Sequence, residues 1–280
     1  MTHRSISTAD KRREFHRLHA SGCFLIPNPW DLGSARFLGS LGFKALATTS
    51  SGFAWSRARP DGGVPRDEVI AHLAELASST DLPLNADFEN GYGATASEVS
   101  ASVKLAIESG VAGLSIEDST GRPGAPLYDL ETAVERLRAA RRAIDATGGD
   151  TLLVGRAECY LVGQPDLGET VRRLRAYASA GADCLYAPGL RTREEIGTVV
   201  DAVAPKPVNL LLGWASELTL SDIAGLGVRR VSVGGALARS AWAGFMRAAR
   251  LLADPGSFDG FAGAASGQEL NDFFVGRADR

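Results

Sequence analysis

The chain is poor in the residues that run thiol, soft-metal or triad chemistry. Among 280 residues there are only three cysteines, Cys23, Cys159 and Cys184. They are far apart, odd in number and form no CxxC pair, which argues against a disulfide framework, a zinc ribbon or a dithiol redox centre. Reduced thiols in a cytoplasmic protein are the expectation. Histidine is equally scarce: His3, His16 and His19 lie in the N-terminal segment and His72 within a helical pattern. None follows an apolar strand, so a Ser-His-Asp hydrolase or a His-rich zinc centre is not expected. Cationic charge is not in excess, with 30 Lys and Arg against 33 Asp and Glu and a net charge of −3. That argues against a nucleic-acid partner. No apolar run approaches the roughly 20 residues of a membrane span. The first residues, "MTHRSISTADKRREFHRLHA", lack the apolar core of a secretory signal. What remains for chemistry is carboxylate, Arg, Tyr, Ser, Cys, or a metal held by oxygen.

What the chain does contain is alternation. Short apolar runs occur at 23–27, 45–49, 82–86, 113–117, 151–155, 184–188, 207–212 and 228–234, with amphipathic segments between them. Helix starts are marked by Thr95 with Glu98, Thr192 with Glu195, and Asp166 with Glu169. Pro65 fits a first helical turn leading into Val69, Leu73 and Leu76. A weak repeat recurs at Gly42, Gly110, Gly181 and Gly227, each followed four residues later by an apolar residue: Leu46, Leu114, Leu185 and Val231. Glycine supplies the left-handed cap that ends a helix before the next strand. Eight such units predict an α/β fold of the (β/α)8 TIM-barrel type. A doubly wound open sheet is the alternative, weakened because no GxGxxG follows the first strand. No linker divides the chain, so residues 1–280 read as a single barrel domain. A further helix spans about 236–253, and the tail "GQELNDFFVGR" carries Phe273 and Phe274. The segment 236–280 is expected to pack on its own barrel or on a neighbouring subunit.

In such barrels the chemistry sits where the strands end. The third strand runs into "NADFENGYG", where Asp87 and Glu89 are two apart and therefore point the same way in extended chain. The fourth ends in Glu117 and Asp118, the fifth in Arg156, Glu158 and Tyr160, and the loop after the second holds Asp61. Carboxylates gathered at one rim repel one another unless a cation joins them. Oxygen ligands without His or Cys suit Mg²⁺, or Mn²⁺. Asp87 is the expected direct ligand, with Glu117 and the other acids of this metal site holding the ion's waters. Arg156 suits a substrate carboxylate, gripped in a fork. Ser50, Ser51 and Gly52 could offer backbone N–H groups to the same anion. Each has a blander alternative. Asp31 reads as a helix cap, Asp118 as a turn, Glu158 as an internal partner of Arg156, and Trp214 as a lid or core aromatic that could border the substrate. A reactive Cys159 is the minority reading.

Taken together, "NADFENGYG", "ESGVAGLSIED", "GRAECYLVG" and "AGADCLYAPG" resemble the phosphoenolpyruvate mutase/isocitrate lyase superfamily over about residues 22 to 250. "TTSSG" and "PDGG" fit as well. The resemblance implies a (β/α)8 barrel, dependence on Mg²⁺, and small 2-oxo or 2-hydroxy carboxylate substrates. It also implies a homo-oligomer, a tetramer of paired dimers that exchange a helix after the eighth strand. By the resemblance Asp87 is a metal-site acid and Glu117 holds metal waters. Asp61 is the acid of the second loop, and Arg156 the carboxylate-binding Arg. Ser50, Ser51 and Gly52 form the segment on the substrate's oxygens. Two departures stand out. The family run Asp-Ala-Asp-x-Gly-Tyr/Phe-Gly begins here with Asn85 and has two extra residues before "GYG", so Glu89 could replace the missing charge. The loop after the fourth strand, "DSTGRPGAPLYDLET", lacks both the Lys-Lys/Arg-Cys-Gly of the isocitrate-cleaving branch and the Lys- and Asn-containing loop of the phosphonomutases.

These observations predict a Mg²⁺-dependent lyase acting beside an enolate of a small (di)carboxylate. Glu89, Tyr92 and Tyr160 are the candidate bases. Phosphonomutase chemistry and oxaloacetate hydrolysis or decarboxylation are the near alternatives. A phosphate-binding barrel using Gly234 and Gly235, or a barrel that binds a metabolite without converting it, stands further off.

Overall fold

The computed structural model describes residues 6–275; His3 and the end of the "GQELNDFFVGR" segment lie outside the described residues. The chain divides into a compact unit spanning Ile6–Leu237 and a second that contains the residues from Ala238 onward.

The first unit is a barrel of eight parallel strands: β1 (Phe24–Ile26), β2 (Leu46–Ala47), β3 (Leu84–Asp87), β4 (Gly113–Glu117), β5 (Leu152–Arg156), β6 (Cys184–Tyr186), β7 (Val208–Leu211) and β8 (Arg230–Ser232). The ladder runs β1-β8-β7-β6-β5-β4-β3-β2. Across the remaining seam Ala47 N–H donates to the Pro27 carbonyl at 3.1 Å, and Asn28 Nδ2 to the Thr48 carbonyl at 2.8 Å. Around the strands lie α2 (Leu32–Ser40), α3 (Ser50–Ser56), α4 (Arg66–Ser79), α5 (Ala96–Glu108), α6 (Leu130–Ala146), α7 (Leu167–Ser179), α8 (Arg193–Val203) and α9 (Leu220–Gly225). Every strand sought in the sequence is present: β4 matches its apolar run, β3 and β5 each start later and end one residue further on, and the others are shorter than their runs. Thr95 and Thr192 form full capping boxes, and Asp31 caps α2 through Ser34.

Alternation of side chains sorts the core. Outward-facing Leu84, Ala86, Leu114, Ile116, Leu153, Leu185 and Leu210 pack under the helices. Inward-facing Phe24, Ile26, Ala45, Ala47, Leu152, Val154, Cys184 and Tyr186 fill the barrel, together with Phe15 and Leu18. The last two come from α1 (Thr8–Ala20), a helix that plugs the barrel and that apolar periodicity did not reveal, because the segment is mostly charged. The plug explains Gly113: a Cβ there would stand 2.6 Å from Phe15 Cε1.

A buried polar layer lies one step below the rim. Arg230 Nε donates to Asn209 Oδ1 at 2.8 Å and its Nη1 to Asn85 Oδ1 at 3.3 Å, with His19 Nε2 3.4 Å from the same nitrogen. Burial, then the Arg230 charge, holds His19 neutral, with a pKa pushed down to about 3. Asn85 therefore belongs to the barrel interior and not to the rim.

The second unit holds most of α10 (Ala236–Ala253), a 3₁₀ turn (Asp259–Phe261) and α11 (Gly267–Val275). The turn closes on α10: a Cβ on Gly260 would fall 2.6 Å from Ala248 Cα. Its aromatic residues are largely uncovered, with Phe245 62% and Phe258 73% exposed.

Candidate active site

The C-terminal rim gathers one arginine and its acids. Glu117 and Arg156 are register partners across β4 and β5, and Arg156 and Tyr186 across β5 and β6. Arg156 Nη1 stands 3.0 Å from Asp87 Oδ1 and 3.2 Å from Glu117 Oε2, while its Nε reaches Glu158 Oε1 at 2.5 Å. Its guanidinium lies 5.0 Å from the Tyr186 ring centroid. Burial opposes that charge, but Glu117 and Glu158 foremost outweigh it and hold Arg156 firmly protonated.

Asp87 is fixed by its neighbours. Its N–H donates to Thr48 Oγ1 at 2.9 Å, and its Oδ2 accepts the Ser50 N–H at 2.9 Å. Ser50 opens α3, whose N-cap Thr49 accepts the Gly52 N–H, and Ser51 Oγ lies 3.0 Å from Thr49 Oγ1. The 50–52 segment thus meets the acids directly. α3 carries no signal in the sequence, because "SSGFAWS" has too few residues to show a period. Asp61 is exposed on the loop after α3. Burial first and Asp87 second still push its carboxyl upward, against a hydrogen bond from Ser50.

Glu89 completes the rim. Its Oε1 accepts the Tyr92 hydroxyl at 2.6 Å. Burial foremost, then the charges of Asp87 and Asp61, lift it to about 7 against that hydrogen bond. Tyr92 is raised in turn, by burial and by Glu89, so its phenol stays protonated and donates. Both residues have left-handed backbone, with φ of 44° at Glu89 and 51° at Tyr92. Non-glycine residues hold such angles only where the surroundings enforce them, often at functional sites. Glu117 and Glu158 are also raised, by burial above all, despite Arg156. Four acids pushed upward beside one arginine form an under-neutralised cluster.

Other sequence candidates have different duties. Asp118 points out of the barrel, where it accepts from Glu158 N at 2.8 Å, Arg173 Nη1 at 3.0 Å and Tyr177 Oη at 2.5 Å. It is a structural hub and not part of the rim cluster. Tyr160 donates to Glu195 on α8 at 3.1 Å. Trp214 lies under Arg191, 4.4 Å from ring centroid to guanidinium carbon, and among the described residues no hydrogen bond joins it to the acids. Cys159 is 1% exposed and burial raises its thiol, the reverse of an activated nucleophile. It lines a cavity of about 680 Å³ with the 124–129 loop and Arg173. Of the two glycines considered for a phosphate, Gly234 has its N–H committed, donating to Asn28 Oδ1 at 2.9 Å beside the N–H of Val233.

Sequence reading missed His72. It stacks on Phe53 at 3.8 Å between ring centroids and is held neutral by burial, at a pKa of about 4. Its Nε2 has no protein partner. It lines a cavity of about 10 Å³, room for about one water, with Ser50, Asp87, Glu89 and Tyr92. In the sequence it is marked only by its place within a helical pattern.

Two carboxylate oxygens, of Asp87 and Glu117, converge on one nitrogen, so the rim is built around a cation. Among the described residues no three His, Cys, Asp or Glu side chains converge as a closed metal cage. Mg²⁺ needs no such cage, because it keeps several waters and takes one or two carboxylates. The all-oxygen donor set and its surplus negative charge fit that ion.

Residues 15–253 match the family model described as phosphoenolpyruvate phosphomutase. The chain is 32% identical over 240 residues to an oxaloacetate decarboxylase of Paraburkholderia xenovorans, covering 80% of this chain and 75% of that one. A solved structure from Burkholderia cenocepacia, a lyase/mutase by provisional description, matches with a TM-score of 0.92 at 45% identity over 96% of this chain and 97% of that chain. An oxaloacetate acetylhydrolase solved with its product oxalate matches with a TM-score of 0.84 at 26% identity, over 97% and 96% of the two chains.

Proposed function

The chain belongs to the phosphoenolpyruvate mutase/isocitrate lyase superfamily, enzymes acting on small carboxylates, and from that premise we propose that it is a Mg²⁺-dependent carbon–carbon lyase of a 2-hydroxy or 2-oxo (di)carboxylate. The observation that carries this reading is the meeting of Asp87 and Glu117 on one cationic nitrogen, within a rim that also holds Asp61, Glu89 and Glu158. Asp87 would ligate Mg²⁺ directly, or Mn²⁺ in its place, with Glu117, Glu89 and Asp61 holding its waters. When bound, the ion supplies a Lewis acid for negative charge developing on a substrate oxygen.

The chain's own residues supply the rest. Arg156 grips the substrate carboxylate in a fork. The 50–52 segment orients its oxygens. Glu89 takes the proton of the substrate hydroxyl at Oε2, while Tyr92 keeps Oε1 engaged. An acid with a pKa near 7 is suited to moving a proton at neutral pH. As that proton leaves, the bond between the hydroxyl-bearing carbon and its neighbour breaks. One fragment becomes a carbonyl compound, and the electron pair passes to the other as the enolate of a carboxylate. The loop 119–129, pinned by a bridge between Ser119 and Leu127, closes over the rim and excludes water.

A second reading has support in the oxaloacetate decarboxylase and the oxaloacetate acetylhydrolase, since the 119–129 loop has no cysteine to act as a lyase acid. The uncovered aromatic residues of α10 and the 3₁₀ turn support a homo-oligomer, a tetramer or dimer. The test is a panel of 2-methylisocitrate, 2,3-dimethylmalate, oxaloacetate and phosphoenolpyruvate with Mg²⁺, followed by NMR. A carbonyl fragment plus a smaller carboxylate is expected from one of the first two. Turnover of oxaloacetate alone selects the second reading, and turnover of none refutes both.

A further inference from the structure

The loop that carries Glu89 and Tyr92 is held from below by a residue that touches neither. Arg136, on α6, is 2% exposed and is among the largest fully buried side chains of the described residues. Its Nη2 donates to the carbonyls of Asn90 at 2.6 Å and Gly93 at 2.8 Å. Its guanidinium carbon lies 4.4 Å from the centroid of the Tyr128 ring. Tyr128 ends the 119–129 loop and is anchored by its own N–H on the Asp118 carbonyl at 2.9 Å. No direct ion pair joins Arg136 to a carboxylate among the described residues, only the longer-range attraction of Glu98, and its Nε and Nη1 have no hydrogen-bond partner. A buried guanidinium without a direct ion pair is costly, so an apolar side chain would serve packing better.

What Arg136 offers that an apolar residue cannot is two donors on one loop and a cationic face on another. The first loop needs holding. Glu89 and Tyr92 are both left-handed. Gly91 and Gly93 are pressed against α5, where a Cβ would meet Val99 Cγ1 at 3.0 Å and Val99 N at 2.5 Å. The two loops also join directly, through Asn90 Nδ2 donating to the Ser119 carbonyl at 3.3 Å.

We propose that Arg136 is a positioning residue that locks the Glu89–Tyr92 pair at the rim and couples its order to that of the 119–129 loop. The proposal rests on the rim being the ligand site. Anything that loosens the Arg136 clamp loosens both loops together, and ligand that engages the rim tightens both.

The test uses Arg136→Met, which keeps the aliphatic volume and removes the donors, and Arg136→Lys, which keeps the charge. Hydrogen exchange reads protection of 88–94 and 119–129, and calorimetry reads oxalate affinity in saturating Mg²⁺. Arg136→Met is expected to lose protection in both segments together and to bind oxalate at least about tenfold more weakly, with Arg136→Lys recovering part of each. A merely structural residue would lower the melting temperature and leave affinity and the 88–94 segment unchanged in folded protein, and that result overturns the proposal. Loss of protection in 119–129 alone also overturns it. Should Arg136→Met not fold, Arg136→Lys decides by the same two readouts. If wild type itself binds no oxalate, the proposed function falls, while the paired loss of protection still decides the role of Arg136.

Discussion

Replacing Arg156 by Gln should make the protein bind Mg²⁺ more tightly. Arg156 touches Asp87 at 3.0 Å and Glu117 at 3.2 Å through a single nitrogen. These are the carboxylates a dication would need, so the guanidinium competes with it. Two unit charges 4 Å apart at an effective dielectric of 20 interact by about 4 kcal/mol, and a dication doubles the repulsion. Arg156 can relieve most of this by withdrawing toward Glu158, its third partner. A residue of about 1.4 kcal/mol, a tenfold change in affinity, is a conservative expectation. Calorimetric titration of Mg²⁺ into ligand-free wild type and Arg156→Gln at pH 8, where protons compete little, reads the difference. Oxalate binding should move the opposite way, weakening in the variant because its carboxylate loses the fork. If Arg156→Gln binds Mg²⁺ equally well or less well, the two carboxylates are not the metal's seat and the reasoning fails.

Three further outcomes follow from the same geometry. Glu89, raised to about 7, binds its proton more tightly folded than unfolded. Its contribution to stability is therefore full below the unfolded pKa near 4.5 and is lost as pH rises through 7, by about 3 kcal/mol at most. His19 and His72, both depressed, run the other way below pH 6.5. The Glu89 share is thus read as the difference between wild type and Glu89→Gln in urea melts from pH 4.5 to 8, and a pH-independent difference would contradict it. Asp118→Ala leaves the buried Tyr177 hydroxyl without its acceptor and Arg173 with only Glu169 and the Tyr128 carbonyl, and should cost about 1–3 kcal/mol. It should leave Mg²⁺ affinity of the folded protein unchanged, by denaturant melts and calorimetry. Gly113→Ala should destabilise by about 1–3 kcal/mol through its clash with Phe15. Phe15→Leu should lessen that penalty in the double variant, whereas additive losses would deny the contact.

The barrel was legible because strand and helix signals are local. Apolar runs, capping boxes at Thr95 and Thr192 and the glycine stops each act within a few residues. Asp87, Glu117 and Arg156 could be placed because each ends a strand, and strand ends meet at the rim of this fold. What local signals could not show was which way a side chain turns after its strand. Asp118 and Tyr160 turn outward to Arg173 and Glu195, although they adjoin the cluster in sequence. Asn85 looked like a lost metal ligand, yet it faces Arg230 one layer down. α1 was hidden by its charge: Lys11 and Arg12 are buried along their stems and satisfied by carbonyls, so a polar sequence still forms the plug. Arg136 gave no signal, because in an arginine-rich helix nothing marks the one that points inward.

The central claim is that "NADFENGYG" builds a metal-dependent carboxylate site. Calorimetric titration of oxalate into wild type and Asp87→Ala, each with and without Mg²⁺, tests it most directly. Tight binding is expected only in wild type with Mg²⁺. Binding that ignores the metal, or that survives Asp87→Ala unchanged, would contradict it.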